Sequence, residues 1–365
     1  MNSKVLHILS GDLWGGKEAQ VYSQMMCSKI ISNQCEVLFL NDGEVSDKFQ
    51  HSGLKCIIID EKEGIYNILR RIISYCKESK IKILVAHGYK EIIIAFLCWL
   101  YLRIPFITYY HGAAEQNVGY VHYKMRFYEK VVNFISRYSA KRVVFVSKEL
   151  ATRLSFSGIS KTRINYNCIS QLTIKPSNEV AFKNNAVMMI GRLVPVKRFD
   201  LALQAISILI KDNIDVSLYI YGDGPLHDEL CEIAAKMKVS DNVHFMGFNF
   251  EAIRYLAQAD IFLITSDSEG LPTVLLEALN MNRPIVATRV GGIVETLELF
   301  HQSNYKLVSS DNHEEIAEAL REILLSSKQI NFSANNEIIK TTFSAEVSAK
   351  RMNDIYNEVL SEYNV

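Results

Sequence analysis

The chain has 365 residues, 49% of them hydrophobic, which is too long for one ordinary core and suggests two domains. Lys plus Arg and Asp plus Glu number 40 each, so no global field recruits nucleic acid. The seven cysteines (Cys27, Cys35, Cys56, Cys76, Cys98, Cys168, Cys231) form no CxxC pair and no Cys/His cluster, which argues against a disulfide framework or zinc site and for buried thiols in a reducing compartment.

The first ten residues carry too short an apolar run for a secretion signal and read as a first strand. The first half alternates strands near 4–9, 36–40, 55–59, 82–86, 105–109 and 142–146 with helices near 17–32, 64–79, 90–102, 121–139 and 147–156. Strands apolar on both faces that alternate with helices predict a doubly wound parallel α/β sheet. The most hydrophobic window, Ile92 to Leu102, is well short of the roughly twenty residues that span a bilayer and is expected as a core helix.

Ligands of such sheets sit at the carboxyl ends of the strands. Three loops of the first half lie there: Gly11 to Lys17 with its Gly15-Gly16 pair, His111-Gly112, and Ser147-Lys148, where Ser147 is expected to cap the next helix. A plain tight turn and a structural histidine are the alternatives at the first two. On helix 121–139, Tyr123, Phe127, Val131, Phe134 and Tyr138 share one stripe, which is expected to pack into the core. The alternative is that the helix's basic residues, Lys124, Arg126, Lys130 and Arg137 with Lys141 and Arg142 after it, meet anionic lipid headgroups.

The text turns polar between about 168 and 185, the best interdomain boundary. A second alternation follows: strand 186–190, helix 199–211, strand 216–221, helix 225–238, strand 243–246, helix 249–258, strand 260–265, helix 272–281, strands 284–287 and 305–308, and helix 312–325 with an Asp311/Glu314 capping box. A last helix, 344–363, comes after the second domain has enough elements to close and is expected to return to the first. The domains are therefore set at 1–168 plus 344–365 and 169–343.

The site is expected around Glu269-Gly270-Leu271-Pro272-Thr273-Val274-Leu275-Leu276-Glu277, read as a strand end, a tight loop and a helix start with Pro272 in its first turn. A helix start at a strand's carboxyl end suits phosphate. A carboxylate can accept hydrogen bonds from two adjacent hydroxyls, so Glu269 and Glu277 suit a ligand with diols on either side of a diphosphate, a nucleotide sugar. The bland alternative is a helix-dipole glutamate and a surface glutamate. Gly191-Arg192-Leu193 to Lys197 can bring a guanidinium and an ammonium to such a diphosphate, the alternative being an exposed basic loop. Gly222-Asp223-Gly224-Pro225, the strand end Val243 to Gly247, and Gly291-Gly292 with Glu295 lie at the same edge, where backbone near Gly247 could support a flat base.

In this order, the motifs resemble the family-4 retaining glycosyltransferases of the GT-B fold over nearly the whole chain. The specific part is Glu269-x7-Glu277 together with the Gly-Arg-Leu-x-x-x-Lys segment. The resemblance implies two Rossmann-like domains facing a cleft, the donor held by the second and the acceptor by the first. It implies that Glu269 and Leu271 contact the transferred sugar, that backbone from Gly270 through Pro272 and Thr273 to Val274 lies near the diphosphate, and that Glu277 takes the ribose diol. It further places Arg192 and Lys197 on the diphosphate beside Gly191 and Gly222, Gly16 opposite, and His111 near the sugar. Where many relatives have Asn-Gly-Ile entering the second domain, this chain has Asn167-Cys168-Ile169, a stiffer hinge.

The expected function is a retaining, metal-independent hexosyl transfer from a nucleoside-diphosphate sugar to a hydroxyl of a glycan or lipid-linked glycan, in bacterial surface polysaccharide synthesis. No cofactor beyond the donor is expected, and the location is cytoplasmic with peripheral contact at the membrane's inner face. The alternatives are a nucleotide-sugar-binding module without turnover and a nucleotide-sugar epimerase.

Overall fold

The computed structural model describes residues 3–11, 14–27, 34–112, 120–170, 177, 180–183, 185–326 and 331–363, with the side chains of 120–124 excepted. The chain forms two compact units, Met1–Ser170 with Thr342–Val365, and Gln171–Thr341.

Seven parallel strands make the sheet of the first unit: β1 (Lys4–Leu9), β2 (Gln34–Phe39), β3 (Cys56–Ile58), β4 (Ile81–Ala86), β5 (Phe106–Tyr110), β6 (Arg142–Phe145) and β7 (Thr162–Ile164), in the order β3-β2-β1-β4-β5-β6-β7. Between them run α1 (Gly16–Met26), α2 (Glu44–His51), α3 (Ile65–Glu78), α4 (Tyr89–Leu102), α5 (Tyr120–Tyr138) and α6 (Lys148–Arg153). Ser147 caps α6, its hydroxyl accepting from the Leu150 amide. Strand order reverses between β1 and β4, so the crevice of this sheet opens there.

The second unit repeats the plan with β8 (Ala186–Ile190), β9 (Ser217–Tyr221), β10 (Val243–Gly247), β11 (Ile261–Ile264), β12 (Ile285–Thr288) and β13 (Tyr305–Val308), in the order β10-β9-β8-β11-β12-β13. Its helices are α7 (Phe199–Lys211), α8 (His227–Lys236), α9 (Thr273–Asn280), α10 (Gly292–Leu297), α11 (His313–Leu324) and the short α12 (Asn335–Ile338). Ile206 and Leu209 of α7 and Leu320 of α11 share one buried cluster with Leu218 and Ile220 of β9. Here the reversal falls between β8 and β11.

The last helix, α13 (Ala345–Glu362), belongs to the first unit. Arg142 of β6 and Arg163 of β7 hold its Glu358 at 2.9 and 2.8 Å, and Arg142 also reaches Glu362. Gln20 and Gln24 of α1 donate to its Ser348 hydroxyl at 3.0 and 2.9 Å. All seven cysteines are unpaired, and burial pushes the thiols of Cys35, Cys76, Cys98 and Cys168 up to about 12.

Several expectations need correction. The expected stripe on α5 does not pack into the core where its side chains are described: Phe127, Phe134 and Tyr138 are 69%, 63% and 68% accessible, and Val131 is half-buried. The inward face is the neighbouring one, carried by Val132, Ile135 and Ser136, because one residue along a helix turns the face by about 100°. Tyr120, Tyr123 and Lys124 lie outside the described side chains. The capping box of α11 is misplaced by one residue: Asn312 caps the helix, accepting from the Glu315 amide at 2.9 Å, while Asp311 pairs with Arg198. Residues 252–258 form a 3₁₀ helix, where an α-helix over 249–258 was expected. Pro272 stands before α9 as its extended N-cap, outside the first turn. The expected helix 17–32 runs from Gly16 to Met26, and 28–33 lie outside the described residues. Helix α2, strand β7 and helices α10 and α12 have no counterpart in the sequence reading.

Candidate active site

The loops after β8 and β11 flank the strand-order reversal of the second unit, and there Lys197 and Glu269 meet. Lys197 Nζ lies 2.5 Å from Glu269 Oε1, with the side chains 28% and 11% accessible. Ser266 donates its hydroxyl to the same carboxylate oxygen at 2.7 Å, and Thr265 donates to the Lys197 carbonyl at 2.8 Å. The Asp267 amide donates to the Val196 carbonyl at 2.8 Å, so the two loops are tied by backbone as well as by charge. A small pocket opens beside the pair, lined by Ile190, Lys197, Ile264, Thr265, Ser266, Glu269, Pro272 and Val274 among others.

The glycines explain how loops can lie so close. A Cβ on Gly222 would fall inside the shell of the Gly191 carbonyl, 2.9 Å from its carbon, and one on Gly224 would come within 2.8 Å of the Leu193 nitrogen. The loop after β9 therefore backs the Gly191-Arg192-Leu193 loop, with the Leu193 amide donating to the Asp223 carbonyl at 2.9 Å. Gly291 stands in the same relation to Glu269, and the Gly292 amide donates to the Gly270 carbonyl at 2.9 Å. The Gly222 amide donates to the Gly247 carbonyl at 2.9 Å, extending the chain of contacts to β10. These glycines serve the approach of loop to loop.

Leu271 is buried, Thr273 opens α9, and Glu277 is half-buried one to two turns further along the helix. Burial raises the Glu277 carboxyl from 4.5 to about 7. Arg192 is exposed in the loop after β8. The neighbouring Arg198, in a left-handed backbone conformation at the start of α7, gathers Asp200 at 3.1 Å, Asp267 at 3.1 Å and Asp311 at 2.9 Å. Its role is to fasten the loops, and the pairing with Asp200 first of all raises its pKa.

In the first unit, Gly16 begins α1 and His111 follows β5. His111 is half-buried, its ring stacked on Tyr109 at 4.4 Å. Lys17 donates to the Ser10 hydroxyl at 3.0 Å and pairs with the buried Glu18 at 3.2 Å. Among the described residues no group of His, Cys, Asp and Glu could hold a metal ion.

Sequence reasoning missed Ser266, Arg198, His7 and His87. The histidines left a signal, since each interrupts an otherwise apolar strand or strand end; Ser266 and Arg198 left none beyond standing beside motif residues.

Against known proteins, the family profile described as Glycosyl transferases group 1 matches residues 170–341, and that of Glycosyltransferase Family 4 matches 37–170. An uncharacterized glycosyltransferase of Haemophilus influenzae is 23% identical over 79% of each chain. A Campylobacter jejuni N-acetylgalactosaminyltransferase acting on a diphospho-undecaprenol-linked sugar is 29% identical over 46% of each chain. The crystal structure of Anabaena Alr3699/HepE in complex with UDP-glucose superposes with a TM-score of 0.82 at 17% identity, over 98% of this chain and 99% of that one. A glycosyltransferase from Rickettsia africae gives 0.79 at 18%, over 98% and 99%. With two parallel-sheet Rossmann-like units and matches that together span residues 37–341, the chain belongs to the family-4, group 1 glycosyltransferases of the GT-B fold.

Proposed function

We propose that the protein is a retaining glycosyltransferase that moves a sugar from a nucleoside-diphosphate donor to a hydroxyl of a glycan or lipid-linked glycan, in bacterial surface polysaccharide synthesis. The observation that carries the reading is the Lys197–Glu269 contact at the strand-order reversal, with Glu277 further along the helix that follows. Without donor, the cation and the carboxylate satisfy each other. A bound diphosphate draws Lys197 and Arg192 to its oxygens and frees Glu269 to accept from the sugar's hydroxyls, while Glu277 accepts from the ribose diol.

In the transfer, the bond from the anomeric carbon to the diphosphate oxygen breaks and a bond to the acceptor oxygen forms on the same face. The acceptor proton passes to the departing phosphate oxygen. Lys197 and Arg192 stabilise the charge gathering on that leaving group, which makes the diphosphate's neutralisation a task of side chains with no metal required. The nucleotide complexes of Anabaena Alr3699/HepE support a nucleotide sugar as donor, and the diphospho-undecaprenol substrate of the Campylobacter relative supports a lipid-linked acceptor.

A thermal-shift screen against nucleoside-diphosphate sugars tests the donor. A matching donor at about a hundred times its dissociation constant stabilises the fold by roughly 2.7 kcal/mol. No shift with any such donor would count against the reading.

Glu277 gives the binding a pH dependence. Below about 4.5 its carboxyl is neutral in folded and unfolded chain alike; between there and about 7 it is ionised only when unfolded. Folded stability therefore falls as pH rises through that window and levels off above it. A donor that needs the carboxylate works in the opposite direction, so affinity should rise by up to about tenfold per pH unit below 7 and flatten above. Calorimetric titrations across this range check it, and Glu277→Gln should abolish the dependence.

The exposed Phe127, Phe134 and Tyr138, interleaved with the exposed Arg126 and Lys130, support docking of α5 on an anionic membrane face, where a lipid-linked acceptor is presented. Among the described residues no helix is long and apolar enough to cross a membrane. Co-sedimentation with phosphatidylglycerol vesicles should weaken roughly fivefold on Lys130→Gln, about 1 kcal/mol per cation removed. Equal binding to neutral vesicles would contradict the assignment.

A further inference from the structure

Three histidines and a tyrosine of the first unit form one continuous file. Tyr356 Oη of α13 lies 3.0 Å from His7 Nε2, His7 Nδ1 lies 2.8 Å from His87 Nε2, and His87 Nδ1 lies 2.9 Å from His111 Nε2. His7 and His87 are each 1% accessible. At the far end, His111 Nδ1 is buried and has no hydrogen-bond partner among the described residues.

The rings are neutral. Burial pulls His7 down to about 3 and drives His87 and His111 well below 6.5, with the Lys17 charge acting on both in the same direction. A neutral imidazole has one N–H and one bare nitrogen, so each contact needs a donor on one side and an acceptor on the other. The choice made at one contact fixes the next, and the file has two states only. Either every group donates toward His111, which then carries its proton on Nδ1, or every group donates away from it, which leaves Nδ1 bare.

Tyr356 decides between them. In the first state its hydroxyl donates to His7, a strong acceptor. In the second it accepts from His7, and its own proton must turn to the neighbouring Cys35, whose sulfur accepts weakly. Burial keeps both phenol and thiol protonated, so the hydroxyl always has a proton to place.

We propose that Tyr356, His7 and His87 are positioning residues that hold His111 as the Nδ1–H tautomer, so that the open end of the file offers a hydrogen-bond donor. An oxygen with a free lone pair, a hydroxyl or phosphate oxygen, suits that position, and an ammonium group does not.

Nitrogen-15 NMR of the histidine-labelled full chain tests this at neutral pH without donor. The expected spectrum shows His111 protonated on Nδ1 and bare on Nε2, with nitrogen–nitrogen couplings across the His7–His87 and His87–His111 bonds. Tyr356→Phe keeps the ring and removes the deciding proton, so the His111 signals should move toward the average of the two tautomers, three hydrogen bonds from the change. Protonated Nε2 in the wild type, absent couplings, or His111 signals unmoved in the variant would each overturn the assignment. The wild-type spectrum decides even if the variant fails to fold.

Discussion

Glu269→Gln is expected to lower sugar transfer on the order of 10²–10³-fold, the usual cost of losing one preorganised electrostatic group, with the second unit still folded. The substitution keeps the shape and the hydrogen bond from Ser266 but removes the charge that faces Lys197 at 2.5 Å. Because the two side chains are largely shielded, Lys197→Met should produce a loss of similar order, and the double variant should fall well short of the sum of the two. The cycle is measured by steady-state transfer with each variant's fold checked by circular dichroism. Additive losses would mean that the donor-free Lys197–Glu269 pair does not couple the two side chains, and full turnover of Glu269→Gln would remove the carboxylate from the reaction.

Gly291→Ala should damage both stability and transfer. Its φ of +53° with ψ of −145° is a conformation other residues avoid, which costs about 1–3 kcal/mol. The added Cβ would also sit 2.8 Å from the Glu269 carbonyl carbon and closer still to its oxygen, so the loop carrying Glu269 must shift. Gly158→Ala is the control, since its φ of +77° is strained but nothing lies within 4 Å of the new methyl. Urea unfolding should show the larger loss for Gly291→Ala, and only that variant should lose donor affinity. Equal losses would mean that backbone strain alone is at stake, with no push on Glu269.

The alternation of apolar strands and helices was legible because buried parallel strands carry no polar face, and the order of elements followed from it. Lys197 and Glu269 were legible from their places at strand ends. Their contact was not, since it depends on β8 and β11 lying side by side at the strand-order reversal. The same holds for Gly222 and Gly291: a sequence shows a glycine, but only the fold shows whether it faces ligand or a neighbouring carbonyl. On α5 the periodicity of Phe127, Phe134 and Tyr138 was real, yet periodicity says which residues share a face and is silent on which face meets the sheet. His7 and His87 are polar residues in apolar runs, a signal that the sequence reading left unused. Nothing in the text linked them to Tyr356, which lies 349 positions further along from His7.

On the proposed function, the loops after β8 and β11, with α9, hold a nucleotide sugar. Titration calorimetry of the full chain with the best donor from the screen is the decisive measurement. The expected result is one site per chain, with affinity reduced at least tenfold by Lys197→Met and by Glu277→Leu, about 1.4 kcal/mol each. Donor binding of wild-type strength in both variants would contradict it.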